Sequence, residues 1–192
     1  MKPILFYRIK DLLHHTGSNW DALATDPDHA IAFAHEHINP EPPRMLDATH
    51  YSLEYCLAHS GESINDRFRQ NYPDKIDLQI AHMVANNRTD KDLILYRGVS
   101  DSVYQLMKKN AMSLSDCDLY EKGFLATSLV KGHEINSKIK LRIYVPAGIK
   151  CIYQGNVNEE QFFFEVDVMH GTKLKVISID SEYINCKVLQ TA

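Results

Sequence analysis

The spacing of apolar residues changes period once along this chain, near residue 93, and that switch constrains the fold more than any other feature. Before it, apolar side chains recur at helical intervals. Leu53, Cys56 and Leu57 stand at i, i+3 and i+4, and Ile76, Ile80, Met83 and Val84 make a second face that Asn86-Asn87 ends. After it, strands dominate. Residues 93–97 run apolar into Gly98, and one helix follows, marked by Val103, Leu106 and Met107. Then come 124–129, the strict alternation Ile139, Leu141, Ile143, Val145 closed by Pro146, and three further runs over 162–168, 174–178 and 183–189. Helices first and many short strands afterwards predict an α+β fold.

Residues 1–47 stand apart. Pro40, Pro42 and Pro43 hold the backbone extended between them and the rest. Within this part, Asp26-Pro27 reads as a helix cap and first helical position, with Ile31, Ala34, His35 and Ile38 on one side. The expectation is a helical N-terminal extension over 1–47 and a main domain over 48–192. In the main domain, Ser63 with Asp66 resembles a capping box.

Composition removes several classes of function. The 192 residues are 44% hydrophobic, enough for one core without staples. The formal net charge is −4, and there is no run of Lys or Arg, so nucleic acid is a poor partner. No apolar run approaches the ~18 residues of a membrane span, and the N-terminal stretch is too short for a signal-peptide core, so no membrane partner is expected. The four cysteines form no Cys-x-x-Cys pair, and His35-Glu36-His37 lacks the His-Glu-x-x-His spacing, so no metal is expected. A reducing compartment suits free thiols.

The segment 163–168 carries the most chemistry. As a strand it turns Phe164, Val166 and Val168 one way and Phe163, Glu165 and Asp167 the other. By this pattern alone, Glu165 and Asp167 are solvated carboxylates, Phe162 and Phe164 are buried, and Phe163 is the exposed ring.

Three segments occur in a fixed order: Leu95-Tyr96-Arg97-Gly98-Val99, then Gly123-Phe124-Leu125-Ala126-Thr127-Ser128-Leu129, then the run from Phe163-Phe164-Glu165 through His170-Gly171-Thr172-Lys173 to Val176. Together they resemble the Arg–Ser–Glu mono-ADP-ribosyltransferases, the group that contains the clostridial binary actin-modifying toxins. The resemblance spans roughly residues 48–189. It takes in Ile64-Asn65-Asp66-Arg67-Phe68-Arg69, which looks like the family's Ile-Asn-x-x-Leu-Arg segment, and the Pro-terminated strand ending Val145-Pro146. It implies two roughly perpendicular antiparallel sheets behind N-terminal helices, with NAD as co-substrate in the cleft between them and no metal.

The resemblance also implies roles. Glu165 would hold the ribose and stabilise the oxocarbenium ion formed as nicotinamide leaves, the charge problem that glycosidases solve with a carboxylate. Arg97 would take the NAD phosphates through its forked donors. Gly98 would let the nicotinamide amide approach the backbone. Ser128 would orient Glu165, with Arg97, Ser128 and Glu165 as the catalytic set. Thr127, Phe124 and Asn65 complete the NAD contacts. Ser137 and Lys138 stand near the place of a second phosphate ligand.

The sequence departs from the family pattern in two places. Ala126-Thr127-Ser128 lacks the first hydroxyl of Ser-Thr-Ser. More consequentially, Phe163 stands two before Glu165, where arginine-modifying enzymes carry Glu and a related set carries Gln. A phenyl ring cannot orient a guanidinium. The expected acceptor is therefore a hydroxyl (Thr, Ser or Tyr), as in similar effectors that modify a threonine of ubiquitin. Phe163, Gln161 and Glu160, with Glu159, are the candidate acceptor contacts. An NAD glycohydrolase and a non-catalytic module with this fold remain alternatives. The resemblance further implies a toxin or effector, secreted without a cleaved signal and acting in a host cytosol, or else cytoplasmic; a monomer is expected, and residues 1–47, which lie outside the motif region, are expected to help recognise the target.

Overall fold

The computed structural model of the chain describes residues 2–40, 52–155 and 161–192. Among the described residues five helices come first: α1 (Ile4–His14), α2 (Thr16–Asp21), α3 (Ala30–His37), α4 (Leu53–Arg69) and α5 (Lys75–Ala85). Strand β1 (Leu93–Val99) and helix α6 (Asp101–Ala111) follow. Then come β2 (Leu119–Glu121), β3 (Leu125–Ser128), β4 (Ile139–Val145), β5 (Cys151–Tyr153), β6 (Glu165–Val168), β7 (Thr172–Ile179) and β8 (Ile184–Gln190). The period change at residue 93 thus marks the start of the sheet.

The helix starts differ from expectation in two places. Ser63 and Asp66 lie inside α4, whose buried face runs unbroken through Leu57, Ile64 and Phe68; the helix starts instead at Ser52, whose hydroxyl accepts from the Tyr55 amide at 3.1 Å. The reciprocal box belongs to α5, where Asp74 and Asp77 each accept from the other's backbone amide, at 2.9 and 2.8 Å. Asp77 is also held by two donors of Arg67, both at 2.6 Å. Asp26 accepts from the amides of Asp28 and His29 in a turn ahead of α3, which then buries Ala30, Ala34 and Ile38 rather than Ile31.

The strands order as β2-β7-β8-β4-β1-β3-β6-β5, antiparallel throughout except for β4 beside β8. Between β1 and β3 the register holds a single pair, Tyr96 with Ser128, whereas β1 and β4 share seven. In place of the two sheets expected from the resemblance, the eight strands form one sheet with a seam at this pair. Pairing continues across it to Glu165 on β6, which lies opposite Ser128. Directly paired residues share a face, so Tyr96, Ser128 and Glu165 make one row.

Cores form on both sides. The larger one joins Leu95, Ile143, Val166 and Val176 of the sheet to Tyr7 of α1, Ala34 of α3 and Met107 of α6. On the Glu165 side, α4 and α5 pack Ile64, Phe68, Ile80 and Val84 on Ile152 and Phe124. Trp20 of α2 packs with Ile94 and Tyr96 farther along the same face.

The N-terminal helices are knitted into the sheet by charge as well as by packing. Arg142 on β4 is buried and donates to Asp21 at 2.9 Å, to Asn185 at 2.7 Å and to Asp180. Gly17 on α2 lies so close to this cluster that a Cβ would fall 2.3 Å from an Asp180 oxygen. Asp21 also accepts from the Tyr96 hydroxyl at 2.9 Å and from Lys131 at 2.7 Å. Desolvation alone would raise the Asp21 pKa. The bonds from Lys131 and Tyr96 and the charge of Arg142 outweigh it and hold the carboxyl below its usual range.

A group depressed in this way contributes stability above its unfolded value near 3.8 and loses it as pH falls through the folded value. Asp21→Asn is expected to cost on the order of 2 kcal/mol at neutral pH, because it leaves a buried guanidinium short of a counter-charge. In thermal melts the gap from wild type should be largest near pH 7 and close below about pH 4. A gap independent of pH would show that the pair carries no charge-linked stability.

Candidate active site

A cleft of about 560 Å³ opens beside the seam, within the size range of ligand clefts. Its walls bring together Arg97 and Gly98 from β1, Thr127 and Ser128 from β3, Glu165 from β6, Asn65 from α4 and Phe163 from the turn before β6. These residues lie far apart in sequence. They converge because β1, β3 and β6 are neighbours in the sheet and α4 lies over the same face.

Arg97 is placed where β1 and β3 part. Past Tyr96 there is no further register pair to β3, and an Arg97 guanidinium nitrogen donates instead to the Ala126 carbonyl at 2.5 Å. Its Nε is buried with no hydrogen-bond partner among the described residues. Burial pulls the Arg97 pKa below its usual value, Glu121 opposes this, Arg69 adds to it, and Asp167 and Glu165 oppose it more weakly. A desolvated guanidinium with an orphaned donor, facing an open cleft, suits an anionic ligand such as a dinucleotide pyrophosphate.

Glu165 is half-buried and opens β6. Two residues on, Asp167 is almost fully buried and accepts from the Gln154 amide at 2.6 Å. Burial raises the Asp167 pKa, against the Gln154 bond and the charge of Arg97. The expectation of two solvated carboxylates is corrected here, because α4 and the β5 edge cover this face. The Ser128 hydroxyl donates to the Val130 carbonyl at 2.8 Å and accepts from the Val130 amide at 3.1 Å. Both of these bonds tie Ser128 to the loop after β3, while its backbone pairs with Glu165. The Thr127 hydroxyl donates to the Val166 carbonyl at 2.6 Å, clamping β3 to β6.

The Phe triplet departs from strand alternation. Gln161–Phe163 form a 3-10 turn and Phe164 takes a left-handed φ of 45°, so β6 starts only at Glu165. Phe162 is 60% exposed, Phe164 is buried, and Phe163 stacks on Phe162 at the cleft wall with 4.2 Å between centroids. The reading of Phe162 as buried is thereby corrected, while Phe163 is half-buried and faces the cleft. Glu159 and Glu160 lie outside the described residues, as does the Gln161 side chain.

Phe124 is set apart from the cleft. It is fully buried among Phe68 and His170, where α4 meets the sheet. Its backbone amide donates to the Asn65 side-chain oxygen at 2.6 Å, so Asn65 both lines the cleft and fixes α4 to the start of β3. Gly98 has a packing reason of its own: a Cβ would fall 1.7 Å from the Ile135 carbonyl oxygen, in the loop after β3. Lys138 is exposed and absent from the cleft wall, though Ser137 lines it.

Among the wall residues that the sequence reading missed are Arg69, His133 and Glu134. Arg69 supplies the second guanidinium. It sits one helical turn after Asn65 and is held by Glu121 at 3.1 and 2.9 Å. His133 and Glu134 come from the loop after β3. His133 Nδ1 lies 2.6 Å from the Phe162 carbonyl, which can only accept, so Nδ1 carries the hydrogen and Nε2 is left as an acceptor in the neutral ring. Arg69 was legible as i+4 from Asn65, but a lone His in a loop gives no signal.

No curated relative matches the chain by sequence. Solved structures do match in fold. Plx2a, an ADP-ribosyltransferase toxin from Paenibacillus larvae, superposes with a TM-score of 0.59 at 14% identity, over 85% of this chain and 96% of that one. C3stau2 from S. aureus, solved with NAD, gives 0.57 at 17% identity over 86% and 97%. The C3 exoenzyme of Clostridium limosum gives 0.57 at 18% over 85% and 94%. At these identities the likeness speaks for the fold. The family model for ADP-ribosyltransferase exoenzymes matches residues 47–192, most of the chain and all of the cleft. With that match, and with the guanidinium, hydroxyl and carboxylate drawn to one seam, the chain belongs to the ADP-ribosyltransferase exoenzyme family and is an NAD-dependent ADP-ribosyltransferase.

Proposed function

We propose that this enzyme is a toxin or secreted effector that transfers ADP-ribose to a side-chain hydroxyl of a protein in a foreign cytosol. The observation that carries the hydroxyl reading is Phe163 on the cleft wall beside Glu165. An aromatic ring there gives a guanidinium no anion to bind, whereas His133 Nε2 gives a hydroxyl a proton acceptor. Ubiquitin, through a threonine, is the first target to test.

The geometry supports a set of roles. NAD supplies the ribosyl–nicotinamide bond, whose electron pair leaves with the nicotinamide. Arg97 and Arg69 face the cleft as cations and would hold the pyrophosphate. Glu165 would stand against the positive charge developing on the ribose. The acceptor oxygen then bonds the ribose carbon, and its proton passes to His133 Nε2. Ser128 and Thr127 act through the strand pairing that sets Glu165 in place.

Residues 1–47 are proposed to contribute to target recognition. Deleting them would also strip Asp21 from Arg142 and Tyr96, so point substitutions on exposed positions are the cleaner probe.

Labelled NAD and a lysate separate the readings: protein label marks transfer, free ADP-ribose marks hydrolysis, and neither marks an inert module. Glu165→Gln keeps the shape and removes the charge, and is expected to lower turnover by about 10²-fold or more. Site mapping that finds the label chiefly on arginine would overturn the hydroxyl acceptor. His133→Asn keeps a donor near the Phe162 carbonyl and removes the Nε2 acceptor. It is expected to cut protein transfer by about 10²-fold, the usual size of a general-base contribution, while sparing NAD hydrolysis. Unchanged transfer, or equal loss of transfer and hydrolysis, would remove His133 from the reaction.

A further inference from the structure

Helix α1 shows the solvent its apolar side. Only Tyr7 is buried on this helix, while Leu5 is 68% exposed, Leu12 74% and Leu13 68%. At 3.6 residues per turn, Leu5, Phe6, Ile9, Leu12 and Leu13 fall within an arc of roughly 120°, centred opposite the side that Tyr7 and Asp11 turn to the sheet. Burial of this arc is not needed for folding, because Tyr7 and Asp11 already dock the helix. Asp11 accepts from the Gly17 amide at 3.0 Å and from the Ser178 hydroxyl at 2.9 Å.

The charges around the arc are of one sign. Arg8 borders it on one side and Lys10 on the other, with Lys2 just before the helix. Asp11 is the sole acid of α1 and points inward, so no carboxylate of α1 faces the solvent side. Lys2 and Lys10 lie over the Phe6 ring, at 4.2 and 5.6 Å from its centroid, and neither they nor Arg8 enters an ion pair among the described residues. This basic rim belongs to a chain whose net charge is −4.

We infer that α1 is an interfacial anchor that lays Leu5, Ile9, Leu12 and Leu13 into the headgroup boundary of an anionic lipid bilayer, with Arg8, Lys10 and Lys2 reaching the lipid phosphates. The pattern is that of a helix lying in a membrane surface: an outward apolar stripe, long basic side chains at its edges, and no outward acid. Electrostatic attraction selects anionic over neutral lipid and falls with salt. The sequence expectation of no membrane partner tested for a span, and among the described residues no helix is long and apolar enough to cross a bilayer. A helix lying flat needs no such length.

The test is co-sedimentation of the full chain with vesicles of phosphatidylcholine alone and of phosphatidylcholine mixed with phosphatidylserine. Binding is expected to the mixed vesicles only, and to fall as salt rises. Leu12→Glu should weaken it by about tenfold or more, and Lys10→Gln by about fivefold. Leu12 is exposed and half-buried Lys10 enters no ion pair among the described residues, so melting temperatures should stay close to wild type. Failure of the wild type to pellet with anionic vesicles, or equal pelleting of Leu12→Glu, would overturn the inference. So would a concentration-dependent dimer that Leu12→Glu dissolves in the absence of lipid binding, since the stripe would then belong to a second copy.

Discussion

The candidate active site depends on two strands separating. Strands β1 and β3 share one register pair, Tyr96 with Ser128, and then diverge. A continuous ladder would have satisfied every backbone group there and left no opening. Where it stops, an Arg97 nitrogen takes the Ala126 carbonyl, and the cleft begins. The same pair carries the row from Tyr96 through Ser128 to Glu165, so the edge of the opening and the placement of the carboxylate have one cause.

Charge in and around the cleft is arranged in layers. Glu121 anchors Arg69, and Arg69 in turn disfavours the charge on buried Arg97. Asp167, behind Glu165, is driven toward its neutral form by burial. The cleft wall carries two guanidinium groups and a half-buried carboxylate, which offer charge to an anionic group and to a developing cation. Charges of both kinds are what the proposed breaking of a ribosyl–nicotinamide bond would use. Support for the row comes from outside the matched family region, since Asp21 of α2 holds both Arg142 and the Tyr96 hydroxyl.

Much of the fold was legible because burial leaves a periodic trace. Strand β4 came out of its alternation with both ends in place, since Ile139, Leu141, Ile143 and Val145 pack one face and Pro146 cannot continue. Helices α4 and α5 were visible from their apolar faces. The short β2 and β5 were not, because three residues hold too little pattern to read. The Phe162–Phe164 triplet misled for a local reason: a 3-10 turn and a left-handed Phe164 shift the strand start by three residues. Phe124 reads from sequence as a neighbour of the cleft, yet α4 closes over it and makes it core.

The sequence by itself determined the order of elements, the family, and which residue types were on hand for the chemistry, because these are properties of spacing and identity along one dimension. Only the tertiary structure decided that Asp167 would be buried, that Arg69 and His133 would join the wall, and that α1 would turn leucines to the solvent. Each depends on which surfaces meet across long separations in the chain. The apolar period of α1 reads the same whether its stripe faces inward or outward. Its direction is set by where Tyr7 and Asp11 find partners on the sheet.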